Sequence, residues 1–226
     1  MPCWGVNQRQ KSWNFYSSRD RRFRICSGYR YRESLCLRLI LMSQSAWLWF
    51  SRRSPAAIWR LLRLSATIFR SGLLSEWLAW PPHADSEEFF LRFIRGALHD
   101  YADGKSMTCA VLYQGVVVGN VSYNSICRNL GKAEIGYWLS KEYQGRGIMT
   151  TAVDYLIDDA FNRLKLHKVQ ISAAAENEPS RALCERLHMT LEGIIRNSEN
   201  LNGRVVDHAV YGIQSAQWLA LTAAET

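Results

Sequence analysis

The residues of this sequence best suited to chemistry lie between 143 and 150, where Gly145 and Gly147 flank Arg146 before an apolar run of helical period. Glycines at the start of a helix let backbone N–H groups turn outward without a Cβ in the way. Together with the positive end of the helix dipole, such a turn suits a phosphate, and Arg146 adds charge. A tight turn into a helix would use the same residues. The segment has neither the GxxxxGK[ST] nor the GxGxxG pattern of nucleotide-binding loops.

Two regular elements flank this segment and would hold it in place. Residues 133–139, AEIGYWL, are β-rich and predict a strand. Residues 148–164 repeat apolar side chains in i, i+1, i+4, i+5 order and predict an amphipathic helix. The candidate anion site therefore joins the end of a strand to the start of a helix.

The other patterns predict the remaining elements of a mixed sheet. Ser86, an acidic first turn and an apolar stripe predict a helix over 86–102. The expected strands are 107–113, 116–123, 168–174, 191–195 and 207–212, and a short helix is expected at 179–187. After the first helix the order is β-β-β-α-β-α-β-β, which is typical of an α/β fold with a mixed sheet.

Four motifs in this order resemble the GCN5-related N-acetyltransferase (GNAT) superfamily. The run 144–149, QGRGIM, is similar to the Q/R-x-x-G-x-G/A signature that binds the pyrophosphate of acetyl-CoA. With AEIGYWL, the Asn177-x-x-Ser180-Arg181 segment and the LEG…LNG run over 191–203, it resembles the Rim-type ribosomal-protein N-terminal acetyltransferases. The resemblance covers roughly residues 71–220. It implies a mostly antiparallel central sheet flanked by helices.

Two positions depart from the family pattern. Met149 replaces the small last residue of the signature, as in many Rim-like members. Leu187-His188-Met189 stands where the family usually has a Gly-Phe pair, which would alter the turn after the short helix and the wall of the acceptor pocket.

The resemblance implies an acetyl-CoA site. Residues 137–139 would splay from the next strand, pair with the pantetheine arm and offer an N–H to the thioester oxygen, and Asn177 would hydrogen-bond the pantetheine. The expected cofactor-binding residues are Tyr137, Trp138, Leu139, Gln144, Gly145, Arg146, Gly147, Ile148, Met149, Thr150, Asn177 and Ser180. Tyr137 and Trp138 would also contact the core.

Acetyl transfer from a thioester to an amine needs a neutral amine, donors for the oxyanion and a proton for the departing thiolate. Ser180 is the general-acid candidate, although Asn177 and Ser180 are also good helix caps. Glu199, acting through water, is the preferred base, and Glu134 is the alternative. Either could instead be a solvated surface acid. A peptide α-amine has a reference pKa near 8, against about 10.4 for Lys, so a weak base suffices.

The remaining candidates are not assigned to the chemistry. His167, His188 and His208 lie in no motif and have no metal-ligand spacing, so we interpret them as structural or exposed. The six cysteines form no CxxC pair and no zinc spacing. No metal is expected, and reduced thiols favour a cytoplasmic protein.

Length and charge divide the chain in two. The 226 residues suit one domain with an appendage, and the longest apolar run, 35–50, is too short to span a bilayer and carries Arg38. Residues 1–75 hold 14 Lys and Arg against 2 acids, a net charge of +12, whereas residues 76–226 hold 14 against 18, a net charge of −4. The whole-chain charge of +8 therefore says little about the main domain.

The basic segment 1–70 is open to four interpretations. It could be a targeting peptide, a basic arm that touches RNA or phosphates, the translation of a wrong start site or reading frame, or a diverged first strand and helix. The best evidence for a diverged first strand and helix is the pair of apolar runs 58–64 and 68–74. Residues 71–220 are expected to form the GNAT domain and 221–226 a tail.

These observations predict an N-acetyltransferase that transfers acetyl from acetyl-CoA directly to an amine. The acidic balance of the motif-bearing part favours a cationic acceptor, above all a basic protein N-terminus. The alternatives are a polyamine or aminoglycoside acetyltransferase and a CoA-binding module without turnover. No nucleic acid or membrane partner is expected, and the protein would be a monomer or homodimer.

Overall fold

The computed structural model describes residues 37–41, 76–79, 86–114 and 116–224. The strands in this part of the chain are β1 (Leu37–Leu41), β2 (Met107–Tyr113), β3 (Val116–Cys127), β4 (Lys132–Leu139), β5 (Lys168–Ala174), β6 (Thr190–Leu201) and β7 (Arg204–Gln214). They form a seven-stranded sheet in the order β1-β2-β3-β4-β5-β7-β6. The helices are α1 (Glu87–Ala102), α2 (Ile148–Asn162), α3 (Glu178–Arg186) and α4 (Ser215–Ala224), with a 3-10 turn at Lys141–Tyr143.

Local sequence explains where the helices begin. Ser86 accepts a hydrogen bond from the Phe89 N–H and caps α1, and Asn177 caps α3 through the Ser180 N–H. Helix α2 begins differently: its N-cap is Gly147 in the left-handed conformation, with no side-chain cap. The N–H groups of its first turn are therefore left without a capping side chain.

Strand direction creates one special junction in the sheet. Strands β4 and β5 run parallel, and the other neighbouring pairs are antiparallel. Parallel neighbours need a crossover, which α2 supplies. This junction lies at the centre of the sheet, between two antiparallel halves.

The core lies between α2 and one face of the sheet. The buried side of α2 comprises Ile148, Met149, Ala152, Val153, Leu156, Ile157, Ala160 and Phe161. Tyr123 of β3 is fully buried and donates to the Leu156 carbonyl and to Asp159, at 3.0 Å from Asp159 Oδ2. Arg163 forms a two-point ion pair with the same carboxylate. These contacts fix α2 on the strands that end at the candidate site.

The predicted α/β fold class and the mostly antiparallel sheet are confirmed. Strands β2 and β5 have the predicted bounds, whereas β3, β6 and β7 are longer than predicted. Helix α4 was not predicted. Strand β1 lies inside the basic segment 1–70 and pairs antiparallel with β2. The apolar runs 58–64 and 68–74 lie outside the described residues. The boundary at residue 71 stays a prediction.

Two further findings concern the described residues alone. Their cysteines, Cys109, Cys127 and Cys184, are free thiols. None of their helices is long and apolar enough to span a membrane.

Candidate active site

A gap opens between β4 and β5 at their carboxyl ends. The parallel pairing runs from Lys132 opposite Lys168 to Ile135 opposite Ile171, and no further. Beyond that point β4 remains paired with β3 and β5 remains paired with β7. The two inner edges therefore face each other without pairing, as the family resemblance implied for residues 137–139.

Hydrogen-bond alternation shows which backbone groups line this gap. The Ser140 N–H donates to the Val118 carbonyl of β3 at 2.9 Å. Because the direction of backbone groups alternates along a strand, the N–H groups of Tyr137 and Leu139 point away from β3, toward the gap. On the other side, the Ala175 N–H donates to the Asp207 carbonyl of β7, so the Ala174 N–H points toward the gap, while the Ala174 carbonyl accepts from the Asn177 N–H. The edges suit an extended, amide-containing ligand that pairs as a strand would.

The glycine loop lies beside the end of β4. Gly145 and Gly147 have φ values of +71° and +75°, the left-handed region that glycine adopts without strain. A Cβ built at either residue would meet no atom within 4 Å, so the loop faces open space. With the uncapped first turn of α2 behind it, this loop fits a phosphate or pyrophosphate.

Side chains hold the loop in position. Gln144 donates through Nε2 to the Leu139 carbonyl at 3.1 Å and so ties the loop to the end of β4. The exposed Arg146 guanidinium lies over the Tyr143 ring, 5.4 Å from its centroid. Ile148 and Met149 are only 1% and 6% exposed, so they could reach a ligand through their backbone alone. Thr150 is half-buried in the same turn.

A pair of hydroxyl groups joins β4 to α3. The Tyr137 Oη and Ser180 Oγ atoms are 2.7 Å apart, and either can donate. Burial raises the pKa of Tyr137, so its hydroxyl stays protonated well above neutral pH. Burial also raises the pKa of the nearby Cys184 thiol to about 12. Ser180 is thus oriented by a neutral donor.

Asn177 and Arg181 fix the start of α3. Asn177 Oδ1 accepts from the Ser180 N–H at 3.2 Å, so the helix-capping interpretation is confirmed for Asn177. A contact of Asn177 with pantetheine stays a prediction. Arg181 donates to the Ala175 carbonyl at 3.0 Å and to the Tyr211 hydroxyl at 3.2 Å. These bonds set the position of Ser180 relative to the end of β5.

The two carboxylate candidates lie in different settings. Glu199 on β6 is 3.0 Å from His208 Nε2, measured to Oε2, and its side chain is 41% exposed. Glu134 lies in the paired part of β4, opposite Ser125 and Gln170, before the gap opens. Of these two carboxylates, only Glu199 has a titratable hydrogen-bond partner in the described part of the chain. Its role as the base stays a prediction.

The contact between His208 and Glu199 was not predicted from the sequence. His208 was interpreted as structural or exposed, yet it is hydrogen-bonded to the preferred base. The signal was present in the Asn202-Gly203 turn, which joins β6 to β7 with Leu201 opposite Arg204. Counting back from that turn puts Glu199 opposite Val206, with His208 two residues further on the same face.

The β4–β5 gap and the glycine loop form a candidate site for an extended, phosphate-bearing ligand, and comparison with known proteins identifies the family. The model described as "Acetyltransferase (GNAT) domain" matches residues 61–190. The chain belongs to the GNAT family and is an N-acetyltransferase. The resemblance inferred from its motifs is confirmed at this level.

The relatives are all described as acetyltransferases. The putative ribosomal N-acetyltransferase YdaF of Bacillus subtilis (strain 168) is 36% identical over 146 residues, covering 64% of this chain and 80% of that protein. RimL, the ribosomal L7/L12 alpha-N-protein acetyltransferase in complex with coenzyme A, superposes with a TM-score of 0.64 at 27% identity, over 67% of this chain and 87% of that one. The microcin C7 self-immunity acetyltransferase MccE, in complex with acetyl-CoA and AMP, gives 0.62 at 28% identity, over 66% and 84%.

Proposed function

We propose that this N-acetyltransferase uses acetyl-CoA to acetylate the N-terminal α-amine of a protein in the cytoplasm, and that this acceptor is a ribosomal protein. The observation that carries the proposal is the unpaired β4–β5 gap, which leads from the Ser180 hydroxyl to the open glycine loop. An extended pantetheine arm would pair with the strand edges, and its pyrophosphate would meet the loop amides and the start of α2.

The residues divide the reaction between them. The neutral amine attacks the thioester carbonyl carbon, and a backbone N–H of residues 137–139 stabilises the developing oxyanion. The C–S bond then breaks, and the departing thiolate takes a proton from Ser180 Oγ, which Tyr137 holds in place. Glu199 removes the proton from the amine, through water, so that one proton leaves the nucleophile and one reaches the leaving group. Solvent then returns a proton to Ser180 and takes one from Glu199, which restores both side chains for the next turnover.

The choice of acceptor rests on charge and on the relatives. YdaF and RimL carry names that refer to ribosomal proteins, and RimL is described as an α-N-protein acetyltransferase. The net charge of −4 over residues 76–226 favours a basic acceptor. The partly exposed Glu199 suits an α-amine, whose lower reference pKa leaves more of it neutral than the amine of Lys.

The test is acetylation of matched peptides, measured by mass spectrometry. One basic peptide is offered with a free N-terminus, and the same peptide is offered with a blocked N-terminus and internal lysines. Spermidine is the small-molecule acceptor. The proposal predicts acetylation of the free α-amine alone. Preferential acetylation of spermidine would favour a polyamine enzyme, and acetyl-CoA binding without transfer to any amine would favour a binding module.

A further inference from the structure

The Glu199–His208 pair lies at the end of the sheet where β5 gives way to α3. His208 opposes Ala174, the last residue of β5, in the β5–β7 register. The Ala174 carbonyl accepts from the Asn177 N–H at 2.9 Å, so His208 lies next to the turn that leads to Ser180. The side chain of His208 is 17% exposed, less than half the value for Glu199. The Glu199 carboxylate is therefore the more solvent-exposed group of the pair, and the His208 imidazole is the more buried one.

An irregularity in β6 brings the pair together. Between the register pairs Ile195–His208 and Glu199–Val206, β6 advances four residues while β7 advances two. The resulting bulge is held by the Asp207 carboxylate, which accepts from the Asn197 N–H at 2.9 Å, and Asn197 is left-handed with φ +50°. Bulges re-aim side chains next to functional sites. Here the bulge directly precedes Glu199.

The side chains around the Glu199–His208 pair have partners of their own. Leu201 and Val206 form a small buried cluster with Ala174, against which Trp77 packs. Arg204 lies over the Trp77 ring at 4.9 Å and is 3.6 Å from Glu176. Arg204 is thus engaged by other groups. In the described part of the chain, the hydrogen bond to the Glu199 carboxylate comes from His208.

The direction of the hydrogen bond follows from the chemistry of the groups. An ionised carboxylate only accepts hydrogen bonds, so His208 Nε2 carries the proton that it shares with Glu199 Oε2. Both the neutral Nε2–H tautomer and the imidazolium satisfy this requirement. The bond fixes one carboxylate oxygen and leaves Oε1 to accept from the amine or its water.

We propose that His208 is a positioning residue for acetyl transfer, acting through Glu199. The inference rests on the proposed function, in which Glu199 removes the proton from the acceptor amine. His208 holds the carboxylate in the orientation that this step requires, as second-layer partners commonly do for reactive groups.

The experiment compares two substitutions of His208 in the full chain. His208→Leu removes the donor, and His208→Gln retains an N–H donor at similar reach. We expect His208→Leu to lower kcat about tenfold, the value of one hydrogen bond to a charged group, with the affinity for acetyl-CoA unchanged. His208→Gln should restore most of the loss. The matched control, His99→Leu, changes a histidine that is 75% exposed on α1 and should retain wild-type activity.

A double variant tests whether His208 acts through Glu199. Glu199→Gln with His208→Leu should be no slower than Glu199→Gln alone, because the histidine has no effect once the carboxylate is gone. Wild-type kcat in His208→Leu, no rescue by His208→Gln, or a further tenfold loss in the double variant would each overturn the inference. A wild-type protein that acetylates no amine would instead refute the proposed function.

Discussion

At the residue scale, the proposed mechanism assigns protonation of the leaving thiolate to the hydroxyl of Ser180. Ser180→Ala should lower kcat by about 100-fold, the contribution typical of a general acid, with little change in acetyl-CoA affinity. Tyr137→Phe, which keeps Ser180 but removes its 2.7 Å partner, should lower kcat less. Steady-state kinetics measure both. Wild-type kcat in Ser180→Ala would show that the thiolate takes its proton from another source.

A second residue-scale prediction concerns His188, which replaces a glycine of the family pattern. Its φ of +56° lies in the left-handed region, which costs a residue with a Cβ roughly 1 kcal/mol. His188→Gly should therefore raise the free energy of unfolding by up to about 1 kcal/mol. The control is His99→Gly inside α1, which should lower it by about 0.5–1 kcal/mol. Urea unfolding measures both, and a loss of stability in His188→Gly would contradict the prediction.

The role of a site residue could be predicted where a local sequence motif defines it. It could not be predicted where the role depends on which residues the strand register places side by side. The loop glycines and the cap Asn177 are recognisable from neighbours in sequence. His208 acquires its contact with Glu199 from the hairpin register and a bulge of β6, neither of which leaves a local pattern around His208. The same reasoning separates Glu134 from Glu199, since only the pairing of β4 with β5 shows that Glu134 precedes the gap.

At the scale of elements, the junction between β4 and α2 is where we propose that the pyrophosphate of acetyl-CoA binds. Gly147→Asp would place a side chain and a negative charge where the loop faces open space, and would strain a left-handed residue. The affinity for acetyl-CoA should fall by about tenfold or more, equivalent to 1.4 kcal/mol. Titration calorimetry measures it. Gly203→Asp, at another left-handed glycine in the β6–β7 turn, is the control and should retain wild-type affinity.

The bounds of the strands and helices were predicted more accurately where more of their residues are buried. Strands β2 and β5 combine β-branched or apolar residues with clear boundaries, and their predicted ends are correct. Strand β6 is an outer strand whose residues 190–198 are all exposed, so alternation of burial does not mark its length. Helix α4, SAQWLALTAA, has no charged first or last turn and little amphipathic pattern. Strand β1 lies within the basic segment 1–70, whose sequence shows no clear strand pattern.

At the scale of the whole molecule, two buried thiols make the free energy of unfolding depend on pH in the alkaline range. Burial raises the pKa of Cys109 and of Cys184 from 9.0 to about 12. Above pH 9 the unfolded state releases these protons while the folded state retains them, so stability falls as pH rises toward 12. Each thiol should contribute a slope of about 1 kcal/mol per pH unit.

Urea unfolding at pH 8 and pH 10 tests this dependence. Cys109→Ala should reduce the loss of stability between the two pH values, whatever it does to stability at pH 8. Cys184→Ala, at the second buried thiol, should reduce the loss of stability in the same way. An equal loss in the Cys109 variant would contradict the assignment.

The whole-molecule account depends most on the claim that the β4–β5 gap and the glycine loop bind acetyl-CoA. The most direct measurement is thermal unfolding of the full chain with and without acetyl-CoA. At about 100 times its Kd, a ligand that binds only the folded state stabilises it by about 2.7 kcal/mol, which raises Tm by roughly 5–10 °C for a chain of this size. The account predicts that rise in the wild type and a much smaller one in Gly147→Asp. No rise in a cooperatively folded wild type, or an equal rise in the variant, would contradict it.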